Sequence, residues 1–202
     1  MIRDTSRCLA GAALAAALVA PPLVASSLDA QQPAQATVAW VPARDSGATA
    51  AKPSDVSSVD NIMKALYDVI SGPAGQKRDW NRMRSLFIPG ARLIPSRPRR
   101  EGGGAEVLVL DLEGYITRSG PFLEREGFFE TEVARQMESY GNIAHAFSTY
   151  ESRRTPQEQP FSRGINSIQL LKDGNRWWIV TIYWDSERPD NPIPAQYLRS
   201  GQ

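Results

Sequence analysis

Residues 173–185 read DGNRWWIVTIYWD, and the reading of this stretch decides the fold. Asp173-Gly174 is the strongest short hairpin signal in the chain, because a two-residue turn needs left-handed backbone that glycine adopts without steric cost. The residues after it are β-branched or aromatic almost throughout, which makes them a strand. In a regular strand Trp178, Val180, Ile182 and Trp184 share one face, and Trp177, Ile179, Thr181 and Tyr183 share the other. Both faces are apolar, so both are expected to be covered.

Working outward, three further strands precede this one, over about 124–139, 142–153 and 162–172. Their joints are Tyr140-Gly141-Asn142, the polar loop Thr155 to Pro160, and Lys172 to Asn175. The first of these strands is unusually long, and Gly127 is expected to bend it. Ahead of them come a short helix over 112–118, capped by Asp111 and closed by Gly120-Pro121, and a strand over 106–110. A Gly-rich loop over 96–105 follows a short strand over 91–94. Two helices open the fold. One runs 61–70, capped by Ser58 or Asp60, with Ile62, Leu66, Val69 and Ile70 on one face. The other runs 79–87, capped by Asp79, with Trp80, Met83 and Phe87 as its buried stripe. Helices followed by consecutive long hairpins predict an α+β fold, an antiparallel sheet with its helices on one face. The helices cover only that face. The other is expected to meet a second subunit, so a homodimer is anticipated.

The N-terminal part has another character. Arg3 and Arg7 precede an apolar run from Cys8 to Ala20, then Pro21-Pro22 and small residues to Ala30. This is the pattern of a secretory signal peptide over 1–30, which implies a periplasmic or secreted protein with no stable membrane insertion after cleavage. Residues 31–56 are rich in Gln, Ala, Pro, Ser and Gly and predict a linker. The folded domain is expected over 57–199.

Composition narrows the chemistry. Lys and Arg total 23 against 22 Asp and Glu, which gives no footprint for nucleic acid. The only cysteine, Cys8, lies in the signal segment, and the only histidine is His145. Disulfides, a cysteine nucleophile and multi-histidine metal sites are therefore not expected, and no cofactor motif is present.

Three stretches carry a resemblance: the opening helix NIMKALYDVIS, the segment RDWNRMRSLFIPGARLI and the closing hairpin DGNRWWIVTIYWD. Together they resemble the NTF2-like superfamily, its SnoaL-like and DUF4440-like members included, and above all exported bacterial members. The resemblance implies a cone, in which a strongly curved antiparallel sheet wraps around the N-terminal helices. It leaves function open, because that fold hosts isomerases, dehydratases, hydrolases, ligand binders and interaction modules.

A cone of this kind leaves a pocket between sheet and helices. Four residues are candidates to line it. His145, in the middle of a strand, is the side chain type suited to acid–base work near neutral pH, with Asp68 or Asp185 as conceivable orienting carboxylates; the alternative is a histidine satisfied by a neighbouring hydroxyl. Tyr67 can donate a hydrogen bond to a ligand oxygen, or be a core tyrosine. Asn166, in an otherwise apolar strand, faces a pocket or makes a structural hydrogen bond. Tyr183 completes the ligand-binding set. The basic run Lys77, Arg78, Arg82, Arg84, Arg92, Arg97, Arg99 and Arg100 reads as a solvated face or an anion-attracting rim, with Glu124, Glu126, Glu130 and Glu132 as its counter-charges. Three functions stay open: binding of a small apolar molecule, an isomerase-, dehydratase- or hydrolase-type enzyme using His145, and a protein-interaction module.

Overall fold

The computed structural model describes residues 50–199. The expected signal peptide and the linker up to residue 49 lie outside the described residues. The first element among the described residues is a one-turn helix α1 (Pro53–Val56). Val56 is buried, and Asp55 is held by Arg82 Nε at 2.8 Å.

Helix α2 (Val59–Ile70) starts at Ser58, whose Oγ accepts from the Asn61 amide at 3.1 Å. Helix α3 (Trp80–Leu86) starts at Asp79, which accepts from the Arg82 amide. Both caps satisfy N–H groups that a helix start otherwise leaves unpaired. The chain continues through β1 (Phe87–Pro98), β2 (Ala105–Val107), α4 (Leu112–Glu126), β3 (Phe129–Tyr140), β4 (Ile143–Arg153), β5 (Ser162–Asp173) and β6 (Arg176–Ser186), and closes with a 3-10 turn over Ala195–Leu198.

The six strands form one curved, unclosed sheet in the order β2-β1-β6-β5-β4-β3. Helix α2 lies in its hollow. Ile62, Leu66, Val69 and Ile70 belong to one buried cluster with Ala144, Ala146, Ile168, Leu170, Ile179 and Ile182 from three strands. Each of the leucine, isoleucine and valine side chains among them, taken fully out of water, contributes about 1.5–3 kcal/mol. The α+β cone expected from the sequence is what the chain has.

Several local expectations are corrected. The sheet is not wholly antiparallel, since β1 runs parallel to β6. The β3–β6 meander sets the direction of β6, and β1 docks on its open edge from the helical side of the chain. β1 is longer than expected and β2 shorter, with Leu110 making only an isolated bridge to Leu93. Helix α4 does not stop at Gly120-Pro121 but runs to Glu126. Tertiary packing carries it past the proline, for Leu123 is buried and Gly120 lies flat on the Trp80 ring, where a Cβ would come within 3.2 Å. Gly127 therefore ends a helix, at φ +70°, and does not bend a strand.

Alternation along the closing strand is also broken. Gln169 pairs with Thr181 and Leu170 with Ile179, so Val180 is an extra residue, a bulge that moves the pattern to the other face. Ile179, with Trp177 packed against it, joins the core beside Ile182 and Trp184. Trp178 is buried instead under the Arg176 guanidinium, 3.2 Å from the ring centroid.

The basic run of residues 77–100 divides in two: Lys77, Arg92, Arg97, Arg99 and Arg100 are exposed, as a solvated face would be, whereas Arg78, Arg82 and Arg84 are drawn into the fold. Arg78 is buried and donates to the carbonyls of Ile70, Gly72, Gln76 and Leu123, tying the end of α2 to α4. Burial lowers its pKa. Arg82 pairs with Asp55 and Asp68, Arg84 with Glu113 and Arg97 with Glu106. Among the described residues Glu124, Glu126, Glu130 and Glu132 form no ion pair with this run, although the Glu124 charge acts on Arg78 from a distance.

Candidate functional site

Strand β4 shows how the sheet divides its residues. Ala144, Ala146, Ser148, Tyr150 and Ser152 are buried on the inner face, while His145, Phe147 and Thr149 alternate onto the outer one. On β3, Glu130 stands opposite Ser152 and Glu132 opposite Tyr150. Both glutamates therefore point inward. Past Glu132 the register shifts, and Val133 is the extra residue of a second bulge. The bulge brings Arg135 onto the inner face as well, 3.1 Å from Glu132 and 2.9 Å from Asp60 of α2.

A cavity of about 320 Å³ opens between this face and helices α2 and α4. Its walls are mostly apolar, with Leu66, Ile70, Met83, Leu93, Leu123 and Ile182 among them. Its two charged lining residues are Glu130 and Arg118. Glu130 is enclosed by protein and keeps some accessible surface because the cavity reaches it. Ser152 Oγ donates to its Oε2 at 2.8 Å, and the Asn166 amide makes a longer contact of 3.5 Å with Oε1. Burial pushes its carboxyl up to about 7, against the opposing pull of those two neutral donors. No ion pair to Glu130 is formed among the described residues. A carboxyl with this environment is half ionised near neutral pH, the condition in which one group serves as both acid and base.

Beside it runs a polar chain with fixed direction. Ser148 Oγ donates to Glu132 Oε1 at 2.6 Å, so the Tyr67 hydroxyl, 2.7 Å away, donates to Ser148. The Tyr67 oxygen then accepts from Asn166 Nδ2 at 3.1 Å. Both amide hydrogens of Asn166 are thereby directed within the protein, and the Tyr67 proton is engaged. Burial raises the pKa of Tyr67 and of Glu132. Tyr115 of α4 differs. It lines the cavity without a hydrogen-bond partner among the described residues, and burial with the nearby Glu130 charge raises its pKa. Its hydroxyl is thus a donor of the cavity lining that no acceptor among the described residues engages.

The four residues proposed from the sequence separate into two pairs. Asn166 lines the cavity, and Tyr67 supports it from behind. His145 and Tyr183 sit on the outer face. His145 Nε2 lies 2.9 Å from Ser167 Oγ, and its ring is tilted against Phe147, 5.8 Å between centroids. The two conceivable carboxylate partners are engaged elsewhere, Asp68 with Arg82 and Asp185 with Arg188. Tyr183 lines a groove of about 370 Å³ between the outer face and the C-terminal segment. That segment covers part of the face expected to meet a second subunit: Thr149 Oγ1 donates to the Tyr197 carbonyl, Phe147 meets the Tyr197 ring edge-on, and Gln136 reaches the carbonyls of Gln196 and Arg199. Tyr140 and Ile143 stay exposed at the end of the β3–β4 hairpin.

Tyr115 and Arg118 were not singled out from the sequence, and Glu130 was named only as a counter-charge to the basic run. A signal for Glu130 is present, since Glu-x-Glu at 130–132 pairs with Ser-x-Tyr-x-Ser at 148–152, a polar stripe at strand period where an apolar one is normal. Among the described residues no group of three metal-ligating side chains comes together, and no helix is long and apolar enough to cross a membrane.

No family model matches the chain, and no curated protein matches its sequence. Solved structures do match. An NTF-2 like protein of unknown function from Silicibacter pomeroyi is 15% identical, covers 64% of this chain and 92% of its own, and gives a TM-score of 0.45. A protein from Streptomyces avermitilis, provisionally described as a dehydratase of the NTF2-like family, is 14% identical over 70% and 97% at 0.48. One from Shewanella frigidimarina, provisionally described as a ketosteroid isomerase, is 19% identical over 61% and 91% at 0.42. With its bent six-stranded sheet held around α2 and the closing hairpin in one chain, this protein has the α+β cone that the resemblance in its sequence implied.

Proposed function

We propose that the cone takes up a small, largely apolar molecule and that Glu130 exchanges a proton with it. The observation that carries this reading is a carboxyl without a cationic partner in an apolar cavity, accepting hydrogen bonds from neutral groups alone. The acid–base role considered for His145 moves to Glu130, because His145 meets neither the cavity nor a carboxylate. For a carbonyl guest the step is removal of a proton from the carbon next to the carbonyl by the Glu130 carboxylate. The electron pair moves onto the carbonyl oxygen, and the free Tyr115 hydroxyl donates a hydrogen bond there. Return of the proton to the same or another carbon completes an exchange or an isomerisation. We infer that this takes place in the periplasm or outside the cell; the support is Arg3 and Arg7 before the apolar run.

The test is hydrogen–deuterium exchange at carbon, followed by proton NMR with 1-tetralone and cyclohexanone in D2O. The wild type should accelerate loss of the α-proton signals over buffer, and Glu130→Gln should abolish the acceleration. Ketones that bind without any acceleration would contradict proton exchange and leave the cone as a binding site only.

A further inference from the structure

Arg118 is the second charged residue of the cavity, and nothing in the chemistry above uses it. It projects from α4 beside Ser119 and Phe122, on the exposed side of the cavity, whereas Glu130 lies enclosed. It also borders the neighbouring surface groove with Ser96 and Leu108, so its guanidinium stands where the cone meets water. Among the described residues it makes no ion pair and no hydrogen bond, and Ser119 next to it makes none either. Its helical neighbours explain this. The positions three and four residues away are Gly114, Tyr115, Pro121 and Phe122, none of which can accept from a guanidinium as a carboxylate does. The other arginine of that groove, Arg97, is taken by Glu106.

We propose that the cone's guest is an apolar molecule ending in one carboxylate, which Arg118 and Ser119 receive at the mouth while the apolar body fills the cavity toward Glu130. The proposal rests on the reading of the cone as a ligand site and adds the class of ligand. Arginine presents a planar pair of N–H donors that matches a carboxylate, and Ser119 adds a hydroxyl donor. The inner end suits no second anion, since Glu130 is acidic and no other charged residue but Arg118 lines the cavity. The guest is therefore oriented, with its charge outward and its reactive or apolar end inward.

The probes are 4-phenylbutanoate and the matching amide 4-phenylbutanamide, nearly identical in shape and different in charge. Affinities are measured by NMR titration at pH 8 in low salt, on the wild type, Arg118→Gln and Glu130→Gln. The wild type should bind the acid about tenfold more tightly than the amide, a difference of about 1.4 kcal/mol. Added salt should shrink that preference. Arg118→Gln should erase it by weakening the acid far more than the amide, and Glu130→Gln should keep it. Equal binding of acid and amide by the wild type, or a preference that survives in Arg118→Gln, would overturn the role of Arg118 and leave the ligand site standing. If neither probe nor the ketones bind the wild type, the reading of the cone as a ligand site fails and this proposal fails with it.

Discussion

Glu130 and Ser152 stand directly opposite each other on neighbouring strands, and the serine hydroxyl donates to Glu130 Oε2 at 2.8 Å. This hydrogen bond favours the ionised carboxyl, while burial opposes it. Ser152→Ala removes the donor and leaves the burial, so the Glu130 pKa should rise above about 7. The check is a carbon-13 NMR titration of carboxyl-labelled protein. An unchanged or lower value would show that the serine does not tune this group.

The same group links stability to pH. Its folded pKa of about 7 exceeds the ordinary 4.5, so the folded state binds the extra proton between those values. Its contribution is fully present below pH 4.5 and is lost as pH rises through 7. Glu132 is shifted in the same direction, while Asp55 and Glu113 are shifted the opposite way, so the comparison has to be made between variants. Relative to Glu130→Gln, the wild type should lose on the order of 3 kcal/mol between pH 4.5 and 8. Urea unfolding of the two proteins across that range measures it. Parallel pH profiles would contradict a perturbed Glu130.

Arg78 should be among the most sensitive positions. Its guanidinium satisfies four backbone carbonyls, and two of its atoms lie where a Cβ on Gly72 would come within 3 Å. Arg78→Met strands several buried acceptors and should cost roughly 3 kcal/mol or more. Arg78→Lys should recover little, because a point charge cannot reach four acceptors as a planar fork does. Thermal unfolding of both variants tests this, and a loss below 1 kcal/mol for Arg78→Met, about a weak surface contact, would contradict it.

His145→Ala should leave probe binding in the cone unchanged within twofold. It should cost only about 1 kcal/mol of stability, the worth of one partly buried hydrogen bond to Ser167. A large loss of proton exchange in this variant would return the catalytic role to the histidine.

The C-terminal segment should be held by its contact with the outer face. Tyr197→Ala removes the ring that meets Phe147 at 4.9 Å, a contact worth about 0.5–1.5 kcal/mol beyond the area it buries. Amide exchange over 187–199 should speed up while that of α2 stays unchanged. If exchange is unaffected, other contacts pin the segment.

Much of the fold was legible in the sequence because periodicity and turn chemistry agreed there. The stripe of Ile62, Leu66 and Ile70 and the Asp173-Gly174 turn, with Gly174 at φ +58°, left little choice. Where tertiary contacts overrode local preference, the reading stopped early. Helix α4 passes Pro121 because Gly120 fits against Trp80, and β6 changes face because Val180 bulges. The site was less legible for the same reason. Strand alternation with glutamates outward is the usual arrangement, and β3 inverts it, because Ser148, Ser152 and Asn166 on neighbouring strands give Glu130 and Glu132 inward partners. Tyr67 and Asn166 could be nominated as polar groups in apolar elements. His145 stood out by chemistry alone, and strand parity puts it on the other side.

The most direct test is the carboxyl titration of Glu130 itself, by carbon-13 NMR of the wild type against Glu130→Gln. A resonance that titrates near pH 7 and is missing from the variant is the expected result. A Glu130 carboxyl that titrates near 4.5, as it would in water, would contradict the claim that the cone holds a proton-exchanging acid.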